Sequence, residues 1–159
     1  MMGAGDRERV VDLIALHEGR LGVPLLDDEG VRQLLRETHR IVVVGASPDP
    51  YRPSNGVIRD LVALGYEVVP VNPAVEAVEG LTCYPDVAAA VEASGPVDIV
   101  DVFRRADACP PHSREAVAVG ARCLWLQLGI ASREAGQIAA AAGLEVVMDR
   151  CLAVEARRR

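Results

Sequence analysis

The sequence predicts a Rossmann-like α/β fold, a doubly wound five-stranded parallel sheet within a single domain. Short β-branched runs without polar interruption alternate with amphipathic segments along the chain. This pattern is typical of strands that are buried on both faces and joined by crossover helices. Aromatic residues make up only 3% of the 159 residues, so Val, Leu, Ile and Ala must form the core. A chain of this length suits one domain.

Residues 1–27 are interpreted as a helical extension that precedes a main domain of residues 28–159. Apolar side chains recur at helical spacing within this first segment. A second helix, with Asp27 or Asp28 as its N-cap, is predicted to run to about Thr38, since aspartate is favoured at that position.

Five buried strands are predicted in the main domain, each ended by a turn signal. In chain order they are Ile41–Val44, Glu67–Val71, Val97–Phe103, Arg122–Gln127 and Leu144–Met148. A short extended piece is expected at Leu81–Cys83. The helices between the strands are predicted from about Ser54, from Asp86 to Ala93, from Pro110 to Val119 and from Ser132 to Ala142.

The expected order of these five strands in the sheet is 3-2-1-4-5. In that order the strand sequence reverses between the first and fourth strands. Ligands of open α/β sheets bind outside the carboxyl ends of the strands, at the point of reversal. The residues that directly follow each predicted strand are therefore the candidates for a binding site.

Composition and charge exclude several classes of protein. The net charge is −6, and the one basic run, residues 157–159, is interpreted as a solvated tail. Nucleic-acid binding is therefore not expected. No signal peptide and no membrane-spanning apolar run are found, which indicates a cytoplasmic protein without a membrane partner. The four cysteines show neither C-x-x-C nor zinc spacing, so reduced thiols and no metal site are expected.

The loop after the first predicted strand carries the most chemical information. It runs from Gly45-Ala46-Ser47 through Arg52 to a helix start at Ser54 or Asn55. The free N–H groups and the dipole of such a helix end attract phosphate, and the planar guanidinium of Arg52 suits phosphate oxygens. Because the loop lacks the further glycines of a dinucleotide fingerprint, an ordinary polar loop stiffened by prolines is the alternative.

The ends of the second and third predicted strands bear on the choice of cofactor. The second ends at Asn72-Pro73, without the carboxylate that usually holds the ribose of NAD. Asn72 either bonds to an adenosine or caps the strand end. The third ends at Phe103-Arg104-Arg105, where the arginines suit a pyrophosphate or a 3′-phosphate and Phe103 suits an adenine ring. A solvated arginine pair is the alternative.

The sequence shows no catalytic constellation. His112 lies near the expected site but has no partner that spacing identifies, so it is interpreted as a surface residue at a helix start. Cys109 lies at the start of the same predicted helix, which is expected to lower the pKa of its thiol. A mixed disulfide between Cys109 and the thiol of a ligand is one hypothesis.

The ordered motifs resemble those of the small bacterial CoA-binding domain proteins. In chain order these motifs are Ile41–Ser47, Arg52-Pro53-Ser54, Val71-Asn72-Pro73, Val97–Arg105, Trp125–Ile130 and Val147–Cys151. The resemblance implies a fold similar to the CoA-binding domain of the succinyl-CoA synthetase α subunit. The ligase activity of that enzyme requires a phosphorylated histidine in a further domain and is not expected here.

The resemblance also implies which residues bind the cofactor, coenzyme A. Gly45, Ser47, Arg52, Ser54 and Asn55 would hold the phosphates, with Ala46 and Pro53 in the same loop. Asn72 and Pro73 would lie by the adenosine. Val102, Phe103 and Arg104 would line the groove, with Gln127 and Gly129 toward the pantetheine.

The expected function is that of a CoA-binding or acyl-CoA-binding protein without catalysis of its own, such as a carrier, a sensor or a partner subunit. An NAD(P)-dependent oxidoreductase is one alternative. An interaction module with a vestigial nucleotide site is another. The sequence leaves the oligomeric state open, and a homo-oligomer is compatible with it.

Overall fold

A computed structural model describes residues 4–159, with side chains from residue 10 onward. The helices are α1 (Ala4–His17), α2 (Asp28–Glu37), α3 (Pro53–Ala63), α4 (Val87–Ser94), α5 (Cys109–Ala118), α6 (Arg133–Ala141) and α7 (Leu152–Arg157). The strands are β1 (Arg40–Val44), β2 (Glu67–Val71), β3 (Ala77–Val78), β4 (Leu81–Thr82), β5 (Ile99–Val102), β6 (Cys123–Leu126) and β7 (Glu145–Val147). The first three residues of the predicted extension lie outside the described residues.

Five parallel strands form the central sheet in the order β2-β1-β5-β6-β7. Side chains of a strand alternate between the two faces, and both faces are buried here. Val42 and Val44 pack in one core with apolar residues of α4, α5 and α6. Ile41 and Val43 pack in a second core with residues of α2, α3 and α7. The doubly wound α/β fold predicted from the uninterrupted apolar strands is therefore confirmed.

The predicted strand order, 3-2-1-4-5, is wrong. The third predicted strand, β5, pairs with β1 and not with β2, in the register Val42↔Val100. The free edge of β2 is taken by the segment after the hairpin of β3 and β4. There the N–H of Asn72 donates to the carbonyl of Tyr84 (2.9 Å), and the N–H of Tyr84 donates to the carbonyl of Pro70 (3.0 Å). The order therefore reverses between β1 and β5, and the expected ligand crevice moves there.

The C-terminal residues form a helix that the sequence analysis missed. α7 packs its apolar side in the second core, with Leu152 fully buried. Arg157 forms an ion pair with Asp60 of α3 at 2.6 Å. The guanidinium of Arg159 lies 4.9 Å from the ring centre of Tyr66. The three arginines of this basic run are exposed, as expected of solvated side chains, but the run is not a free tail, because two of them contact the body of the protein.

The N-terminal helix α1 packs against the body of the protein. Ala15 is buried in the first core. A carboxylate oxygen of Asp12 accepts a hydrogen bond from the N–H of Arg133 at 2.9 Å, at the first residue of α6. The Nε2 atom of His17 lies 2.6 Å from Oδ2 of Asp149. Within residues 4–159, no helix is both long and apolar enough to cross a membrane.

Candidate ligand-binding site

A cavity of about 690 Å³ opens at the carboxyl ends of β1, β5 and β6. Its volume lies in the range of small-molecule sites, and its position is the point where the strand order reverses. It brings together most of the site residues predicted from the sequence. Those that line it are Gly45, Ala46, Ser47, Arg52, Pro53, Ser54, Asn72, Phe103, Arg104, Gln127 and Gly129.

Gly45 allows the loops after β1 and β5 to lie against each other. Its φ is +81°, in the left-handed region that favours glycine. A Cβ atom at this position would lie 2.4 Å from the backbone oxygen of Phe103. The absence of a side chain at Gly45 therefore shapes the wall shared by the two loops, which also carries Arg104.

The N-terminus of α3 faces the loop and lacks a side-chain cap. Arg52 occupies the N-cap position without a side-chain hydrogen bond, and Pro53 follows as the first helical residue. By contrast, the carboxylates of Asp27 and Asp86 cap α2 and α4. Among the described residues, no protein group accepts from the N–H of Ser54. The N–H of Ser54 is therefore free to donate to an anion, whereas the N–H of Asn55 donates to the carbonyl of Arg52 at 3.1 Å.

The charge of the cavity wall is opposite to that of the whole chain. Arg52, Arg104 and Arg105 line it, and none of the described lining residues is an aspartate or a glutamate. Within residues 10–159, Arg52 and Arg104 form no ion pair with a carboxylate, while Arg105 lies 3.6 Å from Asp107. A chain of net charge −6 therefore presents a locally cationic site, as expected for a polyanionic ligand.

The two asparagines predicted to contact the ligand form hydrogen bonds that brace the loops. The side-chain N–H groups of Asn55 donate to the carbonyl of Ser47 (3.0 Å) and to Oε1 of Glu79 (2.8 Å). Asn55 is fully buried and does not line the cavity. Asn72 donates to the carbonyl of Ala46 and accepts from the N–H of Ala74, each at 2.8 Å. Asn72 thus caps the end of β2 and contributes to the cavity wall at the same time.

Two further predicted residues lie away from this cavity. Val102 is fully buried in the first core, because its side chain points from β5 into the helix layer. Pro73 lines a smaller neighbouring cavity of about 360 Å³, which shares Gly45, Asn72 and Arg104 with the first.

The smaller cavity contains a histidine–carboxylate pair. Nδ1 of His112 lies 2.6 Å from Oε1 of Glu115, one helical turn further along α5. The hydrogen bond from His112 holds the pKa of Glu115 below its ordinary value. Glu115 also accepts from the N–H of Val87 at 3.0 Å, at the first residue of α4. The interpretation of His112 as an unpartnered surface residue is therefore wrong, since the i, i+3 spacing to Glu115 was overlooked.

The predicted reactivity of Cys109 is also wrong. Its thiol is fully buried under the 3₁₀ turn Ala106–Ala108, and burial raises its pKa to about 12. The nearby positive charge of Arg104 only partly offsets this effect. A helix start lowers a thiol pKa where solvent or charge also stabilises the thiolate, and here the thiol is enclosed by the core.

Cys151 is the cysteine that lines the cavity, and sequence reasoning passed over it. All four cysteines lie in the described part of the chain, and Cys83, Cys109 and Cys123 are buried while Cys151 is half-buried. Its position just before α7 brings it to the site. Cys151 ends the motif Val147–Cys151 of the family resemblance, but because α7 was not predicted, the sequence analysis assigned it no role.

Thiol labelling of the native protein is expected to be confined to Cys151. A small thiol-specific reagent should modify one cysteine, as counted by intact mass and located by peptide mapping, because the other three thiols are enclosed. Cys151→Ser should remove this labelling and Cys109→Ser should leave it unchanged. Rapid labelling of Cys109 in the folded chain would contradict the burial described above.

Gln127 is a nearly buried part of the cavity wall, with 4% of its surface exposed. Its side-chain N–H donates to Oδ1 of Asp101 at 2.8 Å. Asp101 lies in the centre of the sheet on β5 and is fully buried. Burial raises the pKa of this carboxyl to about 8, against a weaker opposite effect of the hydrogen bond from Gln127.

None of the described His, Cys, Asp and Glu residues cluster as a metal site.

Comparisons with known proteins identify the family of this chain. A family model described as a CoA binding domain matches residues 39–157. The uncharacterized protein YneT of Bacillus subtilis (strain 168) is 36% identical over 124 residues, which cover 78% of this chain and 90% of YneT.

Solved structures with the same fold come from other organisms. A hypothetical protein from Pyrococcus horikoshii OT3 is 38% identical with a TM-score of 0.78, over 84% of this chain and 92% of that chain. The protein cell-free ID.343 from Thermus thermophilus is 38% identical with a TM-score of 0.76, over 84% of this chain and 98% of that chain. The match of the family model to most of the chain, together with these relatives, shows that this chain belongs to the CoA binding domain family.

Proposed function

We propose that the chain binds coenzyme A or an acyl-CoA in the cavity of about 690 Å³. The observation that carries the proposal is the charge of the wall, which holds three arginines and no described carboxylate beside an uncapped helix N-terminus. Coenzyme A carries a pyrophosphate and a 3′-phosphate, so its nucleotide half is a polyanion. Arginine forks and free helix N–H groups are the donors that bind such groups.

The division of the wall also suits the two halves of this ligand. The arginines and Ser54 offer donors to the phosphates. Phe103, Leu128 and Ile130 offer apolar surface to an uncharged arm. In this proposal Asn55 and Asn72 support binding by holding the loops of the site in place. Val102 supports it by packing in the core beneath the site.

In this proposal the chain has no catalytic activity of its own and serves as a carrier, a sensor or a partner subunit in the cytoplasm. Residues 28–159 would be the binding domain and residues 1–27 an accessory segment. The histidine–carboxylate pair lines the smaller cavity and does not line the larger one. No observation favours the NAD(P)-dependent oxidoreductase, because neither Asn72 nor Pro73 supplies a carboxylate for the ribose.

Binding titrations with CoA, acetyl-CoA, NAD and ATP test this proposal. Isothermal titration of the full chain should give the tightest binding with CoA or acetyl-CoA, because these ligands match both the cationic and the apolar parts of the wall. Binding of NAD as tight as that of CoA would contradict the proposal. Gentle mass spectrometry of the purified protein adds a second readout, in which a retained mass of CoA is the expected result.

Arg104→Ala is expected to weaken CoA binding by about tenfold or more, since a hydrogen bond to a charged group contributes about 1.5–3 kcal/mol. The slope of affinity against salt concentration should also become shallower, because one charge contact is lost. Arg52→Ala should behave in the same way. Arg59→Ala is the matched control, since this exposed arginine of α3 does not line the cavity. An equal loss in Arg59→Ala would contradict a direct role for the two cavity arginines.

A further inference from the structure

The amide of Gln127 is held from behind by one buried group. Its N–H donates to Oδ1 of Asp101 on the neighbouring strand β5, at 2.8 Å. The amide nitrogen of Gln127 is therefore turned toward the sheet, where it is hydrogen-bonded to Asp101. No group within residues 10–159 donates to Oε1 of Gln127, although the residue is nearly buried and lines the cavity. That oxygen is left as an acceptor for a ligand in the cavity.

Asp101 has no other described partner. It is fully buried in the centre of the sheet, and its Oδ2 atom lacks a hydrogen bond among the described residues. Burying an unpaired polar group costs stability. Apart from the hydrogen bond to Gln127, Asp101 makes no side-chain hydrogen bond in residues 10–159. Among the described residues, the side chain of Asp101 therefore orients the Gln127 amide and forms no other hydrogen bond.

The chemistry of the oriented group selects what can bind to it. A carbonyl oxygen accepts hydrogen bonds and does not attract phosphate oxygens. The neighbours of Gln127 in the wall include Leu128 and Ile130, which carry no charge. Within coenzyme A, the uncharged N–H donors are the amino group of adenine and the secondary amides of the pantetheine arm. The proposed function lays this arm along the apolar surface of Leu128 and Ile130, so the arm is the donor beside Gln127.

We propose that Asp101 is a positioning residue, which fixes the amide of Gln127 so that its carbonyl oxygen accepts a hydrogen bond from a pantetheine amide of the ligand. This inference rests on the proposed function. It makes the Asp101–Gln127 pair a determinant of specificity, because it distinguishes CoA from nucleotides that lack the pantetheine arm. The arginines distinguish phosphorylated ligands from neutral ones.

The test compares two ligands on the full chain, CoA and adenosine 3′,5′-bisphosphate, which lacks the pantetheine arm. Gln127→Leu removes the acceptor at similar volume, and Asp101→Val removes the group that holds it. Each should weaken CoA binding by about tenfold, as expected for a lost hydrogen bond that leaves a donor unpaired. Each should leave the affinity for the bisphosphate within about twofold.

Asp101→Asn is the rescue variant. The carbonyl oxygen of asparagine accepts from the Gln127 N–H as Oδ1 of Asp101 does, so this variant should recover most of the CoA affinity that Asp101→Val loses. A role for Asp101 in packing alone does not predict this recovery together with an unchanged affinity for the bisphosphate. If Asp101→Val does not fold, Gln127→Leu and Asp101→Asn still decide the matter.

Three results would overturn the inference. Equal losses for CoA and the bisphosphate would show that Gln127 does not contact the pantetheine arm. Full CoA affinity in Gln127→Leu would show that its carbonyl accepts nothing from the ligand. Absence of CoA binding by the unsubstituted chain would overturn the proposed function and, with it, this inference. That result is distinguishable from the first two because it is measured without any variant.

Discussion

Gly45→Ala is expected to destabilise the protein by about 3 kcal/mol or more and to abolish ligand binding. The added Cβ would lie 2.4 Å from the backbone oxygen of Phe103, at a residue with φ +81°. Because that neighbour is backbone, no side-chain rotation relieves the contact. The loops after β1 and β5 must separate, which displaces Arg104 and the wall of the cavity.

The matched control for this substitution is Gly120→Ala. Gly120 has φ +71°, and no neighbouring atom lies within 4 Å of the place where its Cβ would be, so only the backbone conformation is strained. Its cost should be about 1 kcal/mol. Urea unfolding of both variants measures the free energy of unfolding, and a CoA titration measures binding. Equal destabilisation of the two variants would mean that the close approach to Phe103 relaxes without cost.

Asp101→Asn is expected to stabilise the protein at neutral pH, and increasingly so as the pH rises from about 4 to about 8. Burial raises the pKa of Asp101 from 3.8 to about 8, so the folded chain holds a proton there that the unfolded chain releases. The contribution of protonated Asp101 to the free energy of unfolding is therefore full at pH values below 3.8, the pKa of the unfolded chain. It is lost as the pH rises toward about 8, the pKa in the folded chain. Asparagine does not titrate and avoids this loss.

The size of the effect follows from the span of pH over which the two states differ. At pH 7 the gain in the free energy of unfolding should be on the order of 4 kcal/mol, since each pH unit contributes about 1.4 kcal/mol. Urea unfolding of the unsubstituted and substituted chains at pH 5 and at pH 7 measures it, and the difference between them should widen with pH. A difference that stays constant between these pH values would contradict a protonated Asp101 in the folded state.

The positions of the five strands of the sheet and of most helices were predictable because burial leaves a local pattern in the chain. The run Ile41–Val44 has no polar residue, and a strand covered on both faces requires this. Asp27, Asp86 and Ser132 mark helix starts, and all three cap helices in the structure. The loop from Gly45 also lies at the cavity as predicted, because the carboxyl ends of parallel strands share one edge of the sheet.

The contacts of individual side chains at the site were not predictable in the same way. Asn55 and Arg52 both belong to the predicted phosphate loop, yet Asn55 turns inward to Ser47 and Glu79 while Arg52 lines the cavity. In the same way, Cys109, which was expected to be reactive, is buried, while Cys151, for which no role was predicted, lines the cavity. Whether a residue near a strand end is exposed depends on the elements packed over it, here a 3₁₀ turn and α7, and neither leaves a strong local pattern.

The sequence by itself determined the α/β class, the alternation of strands and helices, and a candidate phosphate loop after β1, because hydrophobic periodicity and helix-start chemistry are local properties. Only the tertiary structure decided which strand lies beside β1, which cysteine reaches the cavity, and that Asp101 lies behind Gln127. These depend on pairings between segments far apart in the chain. The segment at Tyr84 pairs with the edge of β2, and β5 pairs with β1. The crevice that begins at Gly45 is therefore formed between β1 and β5.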